Sequence, residues 1–361
     1  MKIVVAGNYG AGNLGDELIL EGMIKTLKEI DPEVDLTILS ADPDYTAAKL
    51  TERSLHKFPM GMRSLLKGIF LGNIKQTLKV VKECDAFILG GGGLFDPSSK
   101  MGIMIWAAQA MMAILKKKPL IMYGQNLPKI RKGVLGKIVK YVFDKAVFIA
   151  LRDDEIPENF KKAVKVPDLI FKSQPNNHEP KKENIVIALR EAQSVTKNHL
   201  HQIAKFINFI QDENRELKIE FVPFEKESDE KLIEFMLPLL AEKDRIIVHK
   251  YTDKREKIEK IFLSAKAVIG MRLHSILMAV NTGTPFIALS YNPKVSNILS
   301  SMKLKGFIVE MKEVDFEKMR KLLEEILSNQ EEVQKRILST RDAEIEKFKD
   351  AESGLKKALG L

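Results

Sequence analysis

The 361 residues predict a doubly wound α/β fold built twice, and three observations carry that reading. Short apolar or β-branched runs alternate with longer segments of helical period, the order that builds parallel sheets with helices on both faces. The alternation lapses once, at KSQPNNHEPKKEN (Lys172–Asn184), which is polar, carries two prolines and reads as a linker. A chain of 361 residues also exceeds the roughly 100–200 expected of one domain.

Taken in order, KIVVAG reads as a strand, ELILEGMIKTLKEI as a helix and VDLTILS, DAFILG, PLIMYG and VFIAL as further strands. After the linker the rhythm restarts with IVIALR, the helix HQIAKFINFIQDEN, then LKIEFVPF, RIIVHK, KAVIG and PFIALS. The expected domains are 1–172, a linker at 173–184, a second domain at 185–314, and C-terminal helices at 315–361 that pack across both. Ligands of open parallel sheets bind beyond the carboxyl ends of the strands, so the residues just after each strand carry the functional expectation.

Composition narrows the function. Hydrophobic residues at 45% and charged residues at 30% are the proportions of a folded protein. One cysteine, Cys84, gives no internal disulfide framework, and six scattered histidines give no zinc spacing, so no metal site and a reducing cytoplasmic setting are expected. No segment reaches the ~20 apolar residues of a membrane span, and no long apolar run follows Lys2 as in a signal peptide. The net charge of +9 is uneven: Tyr45–Tyr141 holds 17 Lys and Arg against 4 acids, a net of +13. That asymmetry points to an anionic partner. Nucleic acid is not expected, because no aromatic residues interleave the basic ones and no zinc-finger, RNP or basic-zipper motif occurs.

Two glycine-rich loops follow early strands. Gly10, Gly12 and Gly15 satisfy G-x-G-x-x-G around Asn13, and Asp42 ends the next strand as a ribose-binding acid does. The triplet starts late after the strand, however, and runs into Asp16 and Glu17, whose carboxylates oppose a pyrophosphate at a helix N-terminus. Glu17 reads as a cap or a site residue, and Asp16 as a group holding or deprotonating a hydroxyl. The second loop, Gly90–Gly93 with Gly91, Gly92 and Gly93 after the strand, allows close backbone approach to a ligand.

Arg152 and Arg190 each end a strand, where a guanidinium either clamps an anion bidentately or pairs with an acid such as Asp153. The densest constellation is VIGMRLHSILMAVNTGTPFIALSYNPKV. If its two strands are neighbours, Arg272, His274 and Lys294 meet on one rim beside a helix N-terminus: an anion site with an acid or base in it. The remaining histidines, His249 among them, read as surface or packing residues.

The signatures GNYGAGNLGDE, GGGGLF, LRDD and GMRLHS followed by SYNPK, in that order, resemble the polysaccharide pyruvyl transferase family of the CsaB type from Lys2 to about Ser300. The resemblance implies two Rossmann-like domains facing across a cleft, as in GT-B glycosyltransferases. It implies transfer of the enolpyruvyl unit of phosphoenolpyruvate, a co-substrate, onto a sugar of a cell-surface polysaccharide precursor as a pyruvate ketal. Arg272, Leu273, His274 and Lys294 would then bind the donor with Arg190, Arg152 would assist, and Asp16 would face the acceptor. His274 is the expected general acid and Asp16 the general base.

Three stretches depart from the family pattern: Asp96-Pro97 after the glycines, Asp154–Pro157 after Arg152, and VPFEKESD, which lacks a His or Gln near Phe224. They leave the acceptor open. A lipid-linked acceptor would place the basic region and MGMRSLLKGIFLGNIKQTLKVV against an anionic bilayer. The alternatives are a nucleotide-sugar glycosyltransferase on the same fold and a non-catalytic protein binding anionic glycan or lipid. Oligomeric state is not readable from the sequence.

Overall fold

The structure is a computed structural model and describes residues 1–58, 72–96, 99–126, 133–152, 156, 160, 163–175, 179–192 and 194–361. Pro97, Asp153–Glu155, Pro157, His178 and the first part of the amphipathic stretch from Met60 lie outside the described residues.

The chain divides into two units. The first comprises Met1–Ala11, Asp16–Ser173 and Ile345–Leu361. Its sheet is β3 (Arg53–His56), β2 (Asp35–Ser40), β1 (Lys2–Ala6), β4 (Ala86–Gly92), β5 (Leu120–Gln125), β6 (Phe148–Leu151) and β7 (Ala163–Lys165), side by side in that order. Every pairing is parallel. The central strands β4 and β5 are buried along their whole length, which is why they read as continuous apolar runs instead of alternating ones. The described helices before the second unit are α1 (Leu14–Ile30), α2 (Pro43–Leu50), α3 (Asn73–Glu83), α4 (Lys100–Leu115) and α5 (Val134–Lys145). Phe143 of α5 meets Phe95 and Phe160 edge to face, with ring centroids at 5.4 and 5.6 Å.

The second unit comprises Gly12–Gly15 and Gln174–Glu344. Its sheet runs β10 (Ile246–Val248), β9 (Lys218–Phe221), β8 (Asn184–Ala188), β11 (Ala267–Gly270), β12 (Phe286–Ser290) and β13 (Ile308–Glu310), again all parallel. The helices are α6 (Lys197–Glu213), α7 (Ser228–Met236), α8 (Arg255–Ser264), α9 (Leu273–Thr282), α10 (Pro293–Ser301) and α11 (Phe316–Ser328). Helix α12 (Gln330–Glu346) belongs to this unit through Glu344, and α13 (Phe348–Ala358) to the first. Arg341 of α12 donates to the Asn281 carbonyl at 3.2 Å, whereas α13 is tied down by Lys172, which pairs with Glu352 and stands 5.4 Å over the Phe348 ring.

Strands β3, β7 and β13 add to those read from the sequence. They are edge strands of three or four residues, half-exposed and too short to set a period. In the first sheet the strand order reverses between β1 and β4, and in the second between β8 and β11. The carboxyl ends of those two pairs are the switch points where such sheets bind ligands.

Candidate functional site

At the first switch point β1 hands over to Gly7 and Asn8. Asp16, half-buried, accepts a hydrogen bond from Asn8 Nδ2 at 2.8 Å, and a Cβ built on Gly92 at the end of β4 would lie 3.5 Å from its Oδ1. Asp16 therefore sits at the reversal of strand order, where the sheet exposes a ligand to side chains. Glu17 has a different task. Its buried carboxylate accepts the Gly10 N–H at 2.8 Å, the kind of donor a pyrophosphate would need from this loop. The dinucleotide reading fails on this geometry, and Asp42 caps α2 by accepting the Tyr45 N–H at 3.1 Å.

The glycines have structural causes. Gly10 takes φ +68°, and a Cβ there would come within 2.1 Å of Ser40 Oγ. A Cβ on Gly91 would meet Ile19 of α1 at 2.8 Å. Gly90–Gly92 continue β4, and Gly93 alone of the four is exposed. Burial pushes the Tyr9 hydroxyl up, with Asp16 and Glu17 adding to the shift. Lys57, after β3, was not singled out by the sequence. It is half-buried with its ammonium 5.3 Å over the Trp106 ring. Burial pulls it below the ordinary lysine range, while the Asp16 carboxylate works the other way.

Arg152 ends β6, as expected, but is buried among partners. Nη1 pairs with Asp168 and Nη2 donates to Asn126 Oδ1 at 2.5 Å. Asp168 also accepts the Ile170 N–H at 3.0 Å, so this ion pair joins the chain after β7 to the ends of β5 and β6.

In the second unit β11 ends at Gly270 and Arg272 stands at the N-cap position of α9. The guanidinium, with a side chain only 6% exposed, donates Nε to Asp229 Oδ2 at 2.7 Å and Nη2 to Asp229 Oδ1 at 2.5 Å, and also pairs with Glu225. Burial pulls the guanidinium down, but Asp229 and Glu225 more than offset it, and Arg272 is held above its ordinary value. The two carboxylates differ: the Asp229 side chain is 1% exposed and that of Glu225 37%. Both come from the VPFEKESD stretch, where no local motif marks an acid as the partner of Arg272.

The Gly12–Gly15 segment belongs to this same unit. Leu14 N–H donates to the Phe224 carbonyl at 2.8 Å, Lys226 N–H donates to the Gly12 carbonyl at 2.9 Å, and Asn13 bridges Glu225. Asn13 Oδ1 also accepts the Gly15 N–H at 3.0 Å. Gly15 lies flat against the half-buried imidazole of His274; a Cβ there would stand 2.0 Å from Nδ1. Leu273, next to His274, is buried in α9.

Strands β11 and β12 are neighbours, and β8 flanks β11 on its other side. Their carboxyl ends therefore carry Arg272 and His274, Tyr291 and Lys294, and Arg190 along one rim. Arg190 lies 5.3 Å over the Tyr291 ring, and Lys294 stands in the first turn of α10, half-buried. His249, read from sequence as a surface or packing residue, bonds Glu220 through Nε2 at 2.7 Å. Among the described residues no group of three or more His, Cys, Asp or Glu is placed to hold a metal ion, and no helix is long and apolar enough to cross a membrane.

Amylovoran biosynthesis protein AmsJ of Erwinia amylovora is 22% identical to this chain, the match covering 93% of this chain and 94% of AmsJ. Among solved structures, the Staphylococcus aureus MnaA–UDP co-structure superposes with a TM-score of 0.64 at 12% identity, covering 93% of this chain and 90% of that one. UDP-GlcNAc 2-epimerase from Methanocaldococcus jannaschii gives 0.63 at 14% identity over 91% and 93% of the two chains. Anabaena HepE in complex with UDP and glucose gives 0.61 at 10% identity over 96% and 95%. At such identities these likenesses establish the fold, which is GT-B-like. The model of the family described as polysaccharide pyruvyl transferase matches residues 13–293, a span that takes in Asp16, β4, the second switch point and the Arg272–His274 rim, and the chain belongs to that family.

Proposed function

We propose that this transferase moves the pyruvyl unit of phosphoenolpyruvate onto two hydroxyls of one sugar in a polysaccharide precursor, forming a ketal and releasing phosphate. The observation that carries the reading is the rim of the second unit, where Arg190, Arg272 and Lys294 end or follow three adjacent strands around His274. A donor bearing both a carboxylate and a phosphate needs several cations, and their placement beside the start of α9 adds the field of a helix N-terminus. Asp229, fully buried, fixes the guanidinium of Arg272, while the more exposed Glu225 yields its place to the incoming anion.

In this reading His274 delivers a proton to the methylene carbon of the donor, leaving positive charge at C2. A sugar hydroxyl adds there, forming one C–O bond and giving its proton to Asp16. The second hydroxyl then adds, giving its proton to the His274 ring left neutral by the first step, as the C2–O bond to phosphate breaks and phosphate leaves with the bonding pair. The cations neutralise the leaving phosphate, so no cofactor beyond the co-substrate is assigned. If the acceptor is lipid-linked, the protein works at an anionic membrane surface on the cytoplasmic side.

Thermal stabilisation tests the donor, because a ligand that binds only the native state raises its midpoint. Phosphoenolpyruvate should stabilise the wild type, and Arg190→Ala or Lys294→Ala should abolish the shift; NAD should give none. Several of the GT-B-like relatives carry UDP in their crystals, which favours a glycosyltransferase as the second reading. Stabilisation by UDP and not by phosphoenolpyruvate would replace the first reading with the second.

A further inference from the structure

Helix α4 is apolar around its whole circumference: of its sixteen residues only Lys100 and Gln109 are polar. A helix of that kind is normally buried on every side. Here one side, with Ile103, Trp106 and Ala110, packs into the core of the first unit, and the opposite side leaves Met101 57%, Met104 43% and Leu115 73% exposed. Helix α5 packs beside α4 and adds exposed Val134 (73%) and Tyr141 (44%). Scattered exposed apolar residues are ordinary, but five on two helices that pack against each other are the kind of cluster that marks an interaction site.

The charges around the patch are mostly positive. Helix α3 also packs against α4. Together α3, α5 and the stretch from Lys100 to Lys118 hold ten lysines and two acids, Glu83 and Asp144. Lys116 and Lys117 follow directly on Leu115, and Lys137 lies one turn from Val134; all three are exposed. A second copy of this chain meeting the patch would set lysines against lysines. A nucleic acid would answer the charge but not the methionines and leucine. An anionic bilayer supplies both, with acyl chains for the apolar stripe and headgroups for the lysines.

We propose that the outer face of α4 and α5, with the lysines of α3, docks on the surface of an anionic membrane. The proposal deepens the lipid-linked reading of the acceptor and stands apart from the donor chemistry. Lysines at such a surface each contribute roughly fivefold to binding, and the apolar stripe fixes which face turns inward.

The test is sedimentation of the full chain with vesicles of phosphatidylcholine alone or with about one third phosphatidylglycerol. The expected result is binding to the anionic vesicles only, weakened by salt. Leu115→Glu and Lys137→Glu should each lower it severalfold and the pair more than tenfold, whereas Lys335→Glu on α12 should not. All three positions are exposed, so the fold should be retained, which circular dichroism and phosphoenolpyruvate stabilisation check separately. No binding to anionic vesicles, equal binding to neutral ones, or unchanged binding by the double variant would overturn the proposal. So would a dimer in solution that Leu115→Glu disperses, which would give the patch to a second copy.

Discussion

Arg272 holds Asp229 by two parallel hydrogen bonds, 2.7 Å from Nε and 2.5 Å from Nη2, and the same carboxylate accepts the backbone N–H groups of Phe224 and Glu225 at 2.9 Å each. One buried carboxylate thus locks the loop after β9 to the start of α9. Removing one partner of a buried pair leaves the other charge uncompensated. Asp229→Ala should therefore lower stability by about 3–5 kcal/mol. Glu225→Gln, at a partly exposed position, should cost within about 1 kcal/mol. Urea unfolding of the two variants checks the contrast, and equal losses would show that Asp229 is not the lock.

Gly15 leaves no room for a side chain beside His274. Gly15→Ala should push the imidazole aside and cut kcat roughly 100-fold or more, in the range of losing a general acid or base. Combining it with His274→Ala should cost little beyond His274→Ala alone, because both act through one ring. Steady-state rates of the two single variants and the double variant test this; fully multiplicative losses would separate the glycine from the histidine.

Glu17 and Gly10 are joined through a part-buried hydrogen bond from the Gly10 N–H to the buried Glu17 carboxylate. Glu17→Ala leaves the Gly10 N–H without its partner and should cost roughly 1–3 kcal/mol. Glu17→Gln keeps an acceptor and should recover most of the loss. A thermal melt that ranks Gln with Ala would show that the charge, not the acceptor, holds the loop.

Glu220 is held below the ordinary carboxylate range, first by its hydrogen bond to His249 and then by the Asn184 amide, against the opposing effect of burial. A carboxylate depressed in the folded state stabilises above its unfolded value, about 4.3, and that contribution disappears as pH falls through the folded value. Stability should therefore drop as the medium is acidified below about pH 4.3, and His249→Gln should flatten that drop. Urea midpoints between pH 6 and pH 3.5 for the two proteins decide it.

Cys84 is buried, and burial raises its thiol to about 11. At pH 8 it should resist a thiol reagent in the native protein and react fully once unfolded in guanidinium. Rapid labelling of the native chain would contradict the packing at the end of α3.

The alternation of apolar runs and helical segments was enough to read two doubly wound units, because period and run length are local properties that a strand or helix displays by itself. The placement of Arg190, Arg272, His274 and Lys294 on one rim was also legible, since residues that follow strands stand at the carboxyl edge of any parallel sheet. So was the misfit of Asp16 and Glu17 with a dinucleotide, which follows from charge at a helix N-terminus. The short edge strands β3, β7 and β13 were not, because three or four half-exposed residues set no period. Nor was the partner of Arg272, which lies 43 residues away, or that of Arg152, 16 away across the end of a sheet. The Gly12–Gly15 segment is the sharpest case: read as an acceptor-side loop of the first domain, it folds with the second unit, against Phe224 and His274. Side-chain pairing across strands depends on which elements the chain brings together, and local sequence carries no record of that; only tertiary packing decided it.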